Sequence, residues 1–190
     1  MKKGNGQQNH FTAKRLALLA LFVALSYAVS FLETPPIAGF LRLDFGNVFI
    51  LLSSLLFGPI EGVIVCLLKE GLRCLTSTTV CIGELANFVI TSAFILLPSI
   101  LYRYKKGIKV VLLSLAAACF IGAGVALLMN RYVLLPFFYQ SGFIPIPAAE
   151  MFHQVWWILL LFNLGKCFLI SVLVFLLYKR LSNFLKRWEQ

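Results

Sequence analysis

Six apolar runs, separated by short polar connections, occupy most of this chain, and that pattern limits what it can fold into more than any single motif. Hydrophobic residues make up 61% and charged residues 13% of the 190, against about 45–50% and about 25% in soluble domains. Too little polar surface remains to face water on all sides, so the chain reads as an integral membrane protein. A helix that crosses a bilayer needs about 20 residues. The expected fold class is therefore all-α, with six transmembrane helices in a single domain over residues 1–190 and no room for a soluble catalytic domain.

The spans are expected at Leu16–Leu32, Phe45–Phe57, Gly62–Leu75, Gly83–Leu101, Val110–Met129 and Val155–Tyr178. The second and third are short and meet at Gly58-Pro59, where proline resists helix continuation and glycine tolerates a turn. This predicts a tight hairpin of short helices, tilted or shielded by their neighbours. The longest connection is expected between Arg131 and Phe152, with Pro136, Pro145 and Pro147 inside it, in the position of a lid.

Basic residues set the orientation. Lys2, Lys3, Lys14 and Arg15 precede the first span, Arg103, Lys105, Lys106 and Lys109 fill the fourth connection, and Lys179, Arg180, Lys186 and Arg187 follow the sixth span. With six spans these fall on one side, and only Arg42, Lys69, Arg73 and Arg131 lie on or toward the other. The positive-inside rule makes the richer side cytoplasmic, so both termini, the tail at 1–13 and the tail at 180–190, are expected inside. The first run is long for the core of a signal peptide and lacks a small-residue cleavage site after it, so the first helix is expected to stay. Anionic lipid headgroups account for the net charge of +10, and no nucleic-acid partner is implied.

The cysteines Cys66, Cys74, Cys81, Cys119 and Cys167 lie mostly in apolar runs, without CxxC spacing. Most read as small core residues, and Cys74 with Cys81 is the pair placed to join on the outer side. His10 and His153 are the only histidines, so no metal site is expected, and no catalytic residues are assigned. An intramembrane enzyme would need paired carboxylates or a histidine set at bilayer depth; Glu70 and Arg73 form only a loose ExxR.

Lys166 falls near the middle of the last apolar run. A charge at the bilayer centre costs about 2.5–3.5 kcal/mol, so such residues face a cavity, a partner or a ligand. Asn163 stands three residues before it on the same helix face, and Asn130 ends the fifth span. Carboxamides and an ammonium group together suit a neutral heterocycle edge that carries alternating C=O and N–H groups. A structural Lys166, paired with a buried carboxylate such as Glu84, is the other reading. Tyr132, Phe137, Phe138, Tyr139, Trp156 and Trp157 supply aromatic surface, either as pocket walls or as an interfacial belt.

Two further polar groups sit at span starts. Leu41, Arg42 and Asp44 lead into the second span, where Asp44 can cap the helix and Asn47 lies in its first turn. Glu84 and Asn87 share a face at the start of the fourth, and Glu84 has Lys69 or Arg73 as an alternative, scaffolding partner. On the first span Ala20, Ala24 and Ala28 recur every four residues, extended by Ala13 and Ala17. Small residues at that spacing let another helix approach closely, inside the bundle or in a partner subunit.

The run LRLDFGNVFILLSSLLFGPIEGVIVCLLKEGLR, then GELANF, MNRYVLLPFFY and FNLGK, in this order over roughly residues 14–180, resembles the substrate-binding S components of energy-coupling factor (ECF) vitamin transporters, most closely the riboflavin-specific type. The resemblance implies a six-helix bundle in a bacterial cell membrane, of Gram-positive type, that captures riboflavin and associates with a transmembrane T component and two cytoplasmic ABC ATPases. It implies ligand contacts from Asn130 and Lys166, with Leu41, Asp44, Glu84, Asn87 and Asn163 nearby, and docking of the T component on Ala20 and Ala24. Riboflavin would be cargo, and ATP would be used by the partners. No GxxxxGK[ST] phosphate loop exists in this chain for ATP. Arg42 departs from the small or neutral residue expected there, which leaves FMN, another vitamin or heterocycle, and a non-transport assembly role as alternatives.

Overall fold

Helices form where the apolar runs lie, and glycine and proline set where they break. The computed structural model describes residues 13–32, 34, 41–77, 80–105 and 107–188. Lys2, Lys3, His10 and Lys106 lie outside the described residues, as do the side chains of Lys179, Arg180, Lys186 and Arg187. The elements are α1 (Ala13–Ser30), α2 (Asn47–Phe57), α3 (Pro59–Cys74), α4 (Ile82–Tyr104), α5 (Ile108–Met129), a π-helical turn (Asn130–Leu134), α6 (Leu135–Gln140) and α7 (Ala148–Trp188). Four stretches are long and apolar enough to cross a bilayer: Ala13–Ser30, Ile82–Tyr104, Lys109–Gln140 and Ala148–Tyr178.

The other two apolar helices are shorter. At about 1.5 Å per residue the 11 residues of α2 reach only about 16 Å, well short of a hydrocarbon core of about 30 Å. Its neighbours shield it, as expected from its length. α2 packs against α1, α3, α4 and α7, and Ile50, Leu51 and Leu52 are fully buried at the centre of the bundle with Val65, Ile95 and Val174. Its two buried hydroxyls cause no loss, because Ser53 Oγ and Ser54 Oγ donate to the carbonyls of Ile50 and Leu51 at 2.8 Å.

The Gly58-Pro59 hairpin forms as the dipeptide predicts. Gly58 has φ +129°, a conformation open to glycine, and Pro59 occupies the first turn of α3, where its missing N–H has no helical partner to lose. Beyond the turn the two helices touch at Gly62, where an added Cβ would lie 2.2 Å from Ser54 Cβ. Gly62→Ala is therefore expected to lower stability by about 1–3 kcal/mol through overpacking. An unchanged melting temperature in detergent would show that the hairpin opens without strain. Arg15 ties α1 to the same turn, donating to Phe57 O at 2.8 Å and pairing with Glu61.

One expected connection is largely helical instead. Arg131–Phe152 was the place for a long lid, but α5 continues through the π turn and α6 to Gln140, and α7 starts at Ala148. Only 141–147 is left between them, and the connection between α1 and α2, 31–46, is longer. Pro136 explains the continuity: it falls in the first turn of α6, where a proline fits. It cannot donate to the carbonyl four residues back, and the turn before it widens so that Leu135 N–H bonds Asn130 O. Pro145 and Pro147 do fall in the remaining turn. Arg131 stacks between the Tyr132 and Phe152 rings, at 5.6 and 5.1 Å from their centroids, and so fastens the π turn to α7.

The face that α1 buries carries Leu19, Phe22, Val23, Ser26 and Ser30. Ala13, Ala17, Ala20, Ala24 and Ala28 all lie exposed on its other side. The alanine stripe is thus not an internal helix contact among the described residues.

Candidate functional site

A cavity of about 430 Å³ opens at the end of the bundle formed by the start of α2, the end of α3, the start of α4, the π turn and the first half of α7. That volume lies within the range of small-molecule sites, about 300–1,000 Å³. The described basic clusters at Lys14–Arg15, Arg103–Lys105 and Lys109 sit at the opposite helix ends. Leu41, Asp44, Glu84, Asn87, Asn130, Asn163 and Lys166, which the sequence marked separately, all line this cavity, as does Arg42.

Its floor is a buried polar chain. Lys69, with no exposed surface, pairs with Asp44 and with Glu70 Oε1 at 2.7 Å. Glu70 Oε1 also accepts from Asn87 Nδ2, and Asn87 Oδ1 accepts from Lys166 Nζ at 3.0 Å. Two carboxylates and two ammonium groups make the chain formally neutral, which is how charges persist away from water. The chain also fixes the Asn87 amide, because its two ends meet partners of opposite kind.

Asp44 serves two ends at once. Its Oδ1 accepts the Gly46 N–H at 2.7 Å just before α2, close to the capping role expected for it, while Oδ2 takes Lys69. Gly46 is needed there, since an added Cβ would lie 2.3 Å from Ser26 O. Asn47 is buried outside the cavity lining.

Two acceptors face the lysine side of the cavity from α7 and the π turn. Asn130 and Asn163 each donate an amide N–H to the carbonyl four residues earlier, Ala126 and Leu159, both at 2.8 Å. Their oxygens remain as acceptors. Asn130 is 2% exposed and its Oδ1 is buried without a hydrogen-bond partner among the described residues. A buried orphan acceptor is costly unless something else satisfies it. Lys166 has two further N–H groups beyond the one given to Asn87.

Several expectations about partners change. Lys166 meets Asn87, not Glu84, and Lys69 is taken by Asp44 and Glu70. Glu84 accepts from Ser77 Oγ at 2.7 Å. Of the aromatic residues offered as walls, only Phe138 lines the cavity; Tyr132, Tyr139, Trp156 and Trp157 are exposed, as an interfacial belt would be, and Phe137 packs behind Phe138. Side-chain direction on a helix decides this, and clustering in sequence does not.

Sequence reasoning missed Glu70 and Arg73 as lining residues, with Phe143, Ile144, Met151 and Phe162. For Glu70 a signal was present. Lys69 and Glu70 are adjacent charges in an apolar helix, and the argument used for Lys166 applies to them equally. Phe143 and Ile144 carried none, because the turn that holds them is built by contacts, including Phe143 N and Ile144 N to Phe138 O at 2.8 and 3.3 Å.

The family described as ECF transporter, substrate-specific component, matches residues 14–178. The riboflavin transporter RibU of Staphylococcus aureus (strain TCH60) is 33% identical over 188 residues, 98% of this chain and 97% of that protein. The riboflavin transporter FmnP of Bacillus subtilis (strain 168) is 25% identical over 185 residues, 92% and 95% of the two chains. A solved structure of the S component of a bacterial ECF transporter superposes with a TM-score of 0.75 at 33% identity, covering 95% of this chain and 99% of that one. That family comprises the substrate-specific parts of transporters, in keeping with apolar helices of bilayer length and a cavity lined by them. The chain belongs to the family of ECF transporter substrate-specific components.

Proposed function

We propose that this protein is the riboflavin-binding subunit of an ECF importer, a six-span, multi-pass protein of a bacterial cell membrane with both termini cytoplasmic and its cavity facing outward. In this reading α1 to α4, the continuous helix from Lys109 to Gln140, and α7 are the six spans. The observation that carries the ligand assignment is the unpaired Asn130 Oδ1, opposite Lys166 donors in a cavity walled by Phe138, Phe162 and Ile90. The flavin ring has an edge on which one N–H lies between two carbonyls. Asparagine oxygens from Asn130 and Asn163 accept the N–H, and Lys166 donates to a carbonyl. Leu41, Asp44, Glu84 and Asn87 then line the path of the ribityl hydroxyls. The similarity to two riboflavin transporters supports the same ligand.

A phosphorylated flavin is the second reading, favoured by Arg42 and Arg73 in the cavity lining. An absorbance spectrum of the detergent-purified protein, followed by quenching of added riboflavin or FMN fluorescence, separates the cases. Flavin bands or strong quenching are expected. A colourless protein that quenches neither would send the assignment to another vitamin.

Uptake in this reading is energised by a T component and two ATPases, and Ala20 and Ala24 on the exposed face of α1 receive the T component. Ala20→Trp and Ala24→Trp are expected to leave riboflavin binding within about twofold, or ~0.4 kcal/mol, while abolishing uptake in cells that express the energising subunits. Equal loss of both would mean that the stripe supports the fold.

A further inference from the structure

Three of the cysteines are core residues: Cys66, Cys119 and Cys167 are buried in the main apolar cluster. The other two are partly exposed and lie on either side of the α3–α4 connection. Cys74 is the last residue of α3, and Cys81 is the residue from which α4 starts.

The backbone at Cys81 is unusual. It has φ +64° and follows Val80 at φ +51°, so two consecutive non-glycine residues are left-handed, one of them β-branched. Such a conformation persists only where its surroundings over-determine it. Here it turns the Cys81 side chain back toward α3: the thiol donates to Cys74 O at 3.7 Å and lies beside the Cys74 thiol. Ser77 holds the turn from within, accepting the Cys81 N–H at 3.2 Å and donating to the cavity residue Glu84. Arg73 and Gly83, next to the two cysteines in sequence, also line the cavity. The thiols thus sit where the two sides of the cavity rim meet.

We propose that Cys74 and Cys81 are a dithiol site at the cavity rim, which a disulfide-class oxidant converts to an intrachain disulfide joining α3 to α4. The thiolate of one cysteine attacks a sulfur of the oxidant and expels one thiolate. The second cysteine thiolate then attacks the mixed disulfide and expels the other. Two protein thiols are oxidised, one external disulfide is reduced to two thiols, and the two cysteine protons pass to the departing thiolates. The outward orientation proposed above places the pair in the compartment where such cross-links persist. The pairing itself does not depend on which ligand the cavity takes.

The test uses the full-length protein in detergent, treated with oxidised glutathione, then denatured and alkylated with N-ethylmaleimide for intact mass and peptide mapping. The expected product has lost two hydrogens, takes up three alkyl groups instead of five, and yields one cross-linked peptide that joins Cys74 to Cys81. C74S is expected to stop at a single glutathione adduct on Cys81. Five alkyl groups after treatment, glutathione on both cysteines, or a cross-link that uses Cys66, Cys119 or Cys167 would overturn the proposal. Riboflavin is absent from this measurement, so its outcome and the outcome of the flavin spectrum are independent.

Discussion

Lys69→Met is expected to destabilise the bundle by about 3–5 kcal/mol, the range for removing one partner from a buried ion pair. Lys69 has no exposed surface and is the cation shared by Asp44 and Glu70. Methionine keeps roughly its length and removes its charge, which leaves two carboxylates close together and away from water. A second consequence reaches the cavity, because Glu70 also holds Asn87, and Asn87 holds Lys166. Thermal or denaturant unfolding in detergent measures the loss. Adding Asp44→Asn to Lys69→Met is expected to recover part of it, since residues in one network do not lose stability additively. A single variant that unfolds within about 1 kcal/mol of the parent would mean that water reaches Lys69 and screens the pair.

Lys166→Met is expected to weaken flavin binding by about 1.5–3 kcal/mol, the contribution of a hydrogen bond to a charged group, or roughly 10- to 150-fold in Kd. Its effect on stability is expected to be much smaller than that of Lys69→Met. Lys166 is bound at one donor to Asn87, whereas Lys69 is enclosed by two carboxylates. Riboflavin fluorescence quenching gives the affinity, and a melt of the ligand-free variant gives the stability. Normal affinity would remove Lys166 from the ligand site, and equal losses in both measurements would make it scaffold.

The parts of this molecule that were legible in the sequence are those with local causes. Gly58-Pro59 produces its hairpin because a positive φ and a missing N–H act within two residues of themselves. Glu84 with Asn87, and Asn163 with Lys166, share helix faces because three residues are nearly one helical turn, and both pairs do line one cavity. The continuity of α5 into α6 was illegible for an equally local reason weighed the wrong way: Pro136 was taken to break the helix, yet a proline at the first turn of α6 is compatible with one. The aromatic residues failed differently. Phe138 turns to the cavity and Tyr139, the next residue, turns away, and only the rotation of α6 against α7 distinguishes them.

By itself the sequence determined the solvent and the element type. A chain with 61% hydrophobic residues in bilayer-length blocks has no surface to offer water, and in lipid its backbone must satisfy its own hydrogen bonds within helices. It also marked Lys166, because a charge in such a block is expensive wherever the block packs. Only the tertiary structure decided which charges meet. Lys69 finds Asp44 across 25 residues and Lys166 finds Asn87 across 79, and those partners depend on the depth and rotation of four helices at once. Electrostatic pairing in a low dielectric falls off over a few ångströms. A shift of one residue along any of those helices, about 1.5 Å and 100° of turn, would have joined a different set.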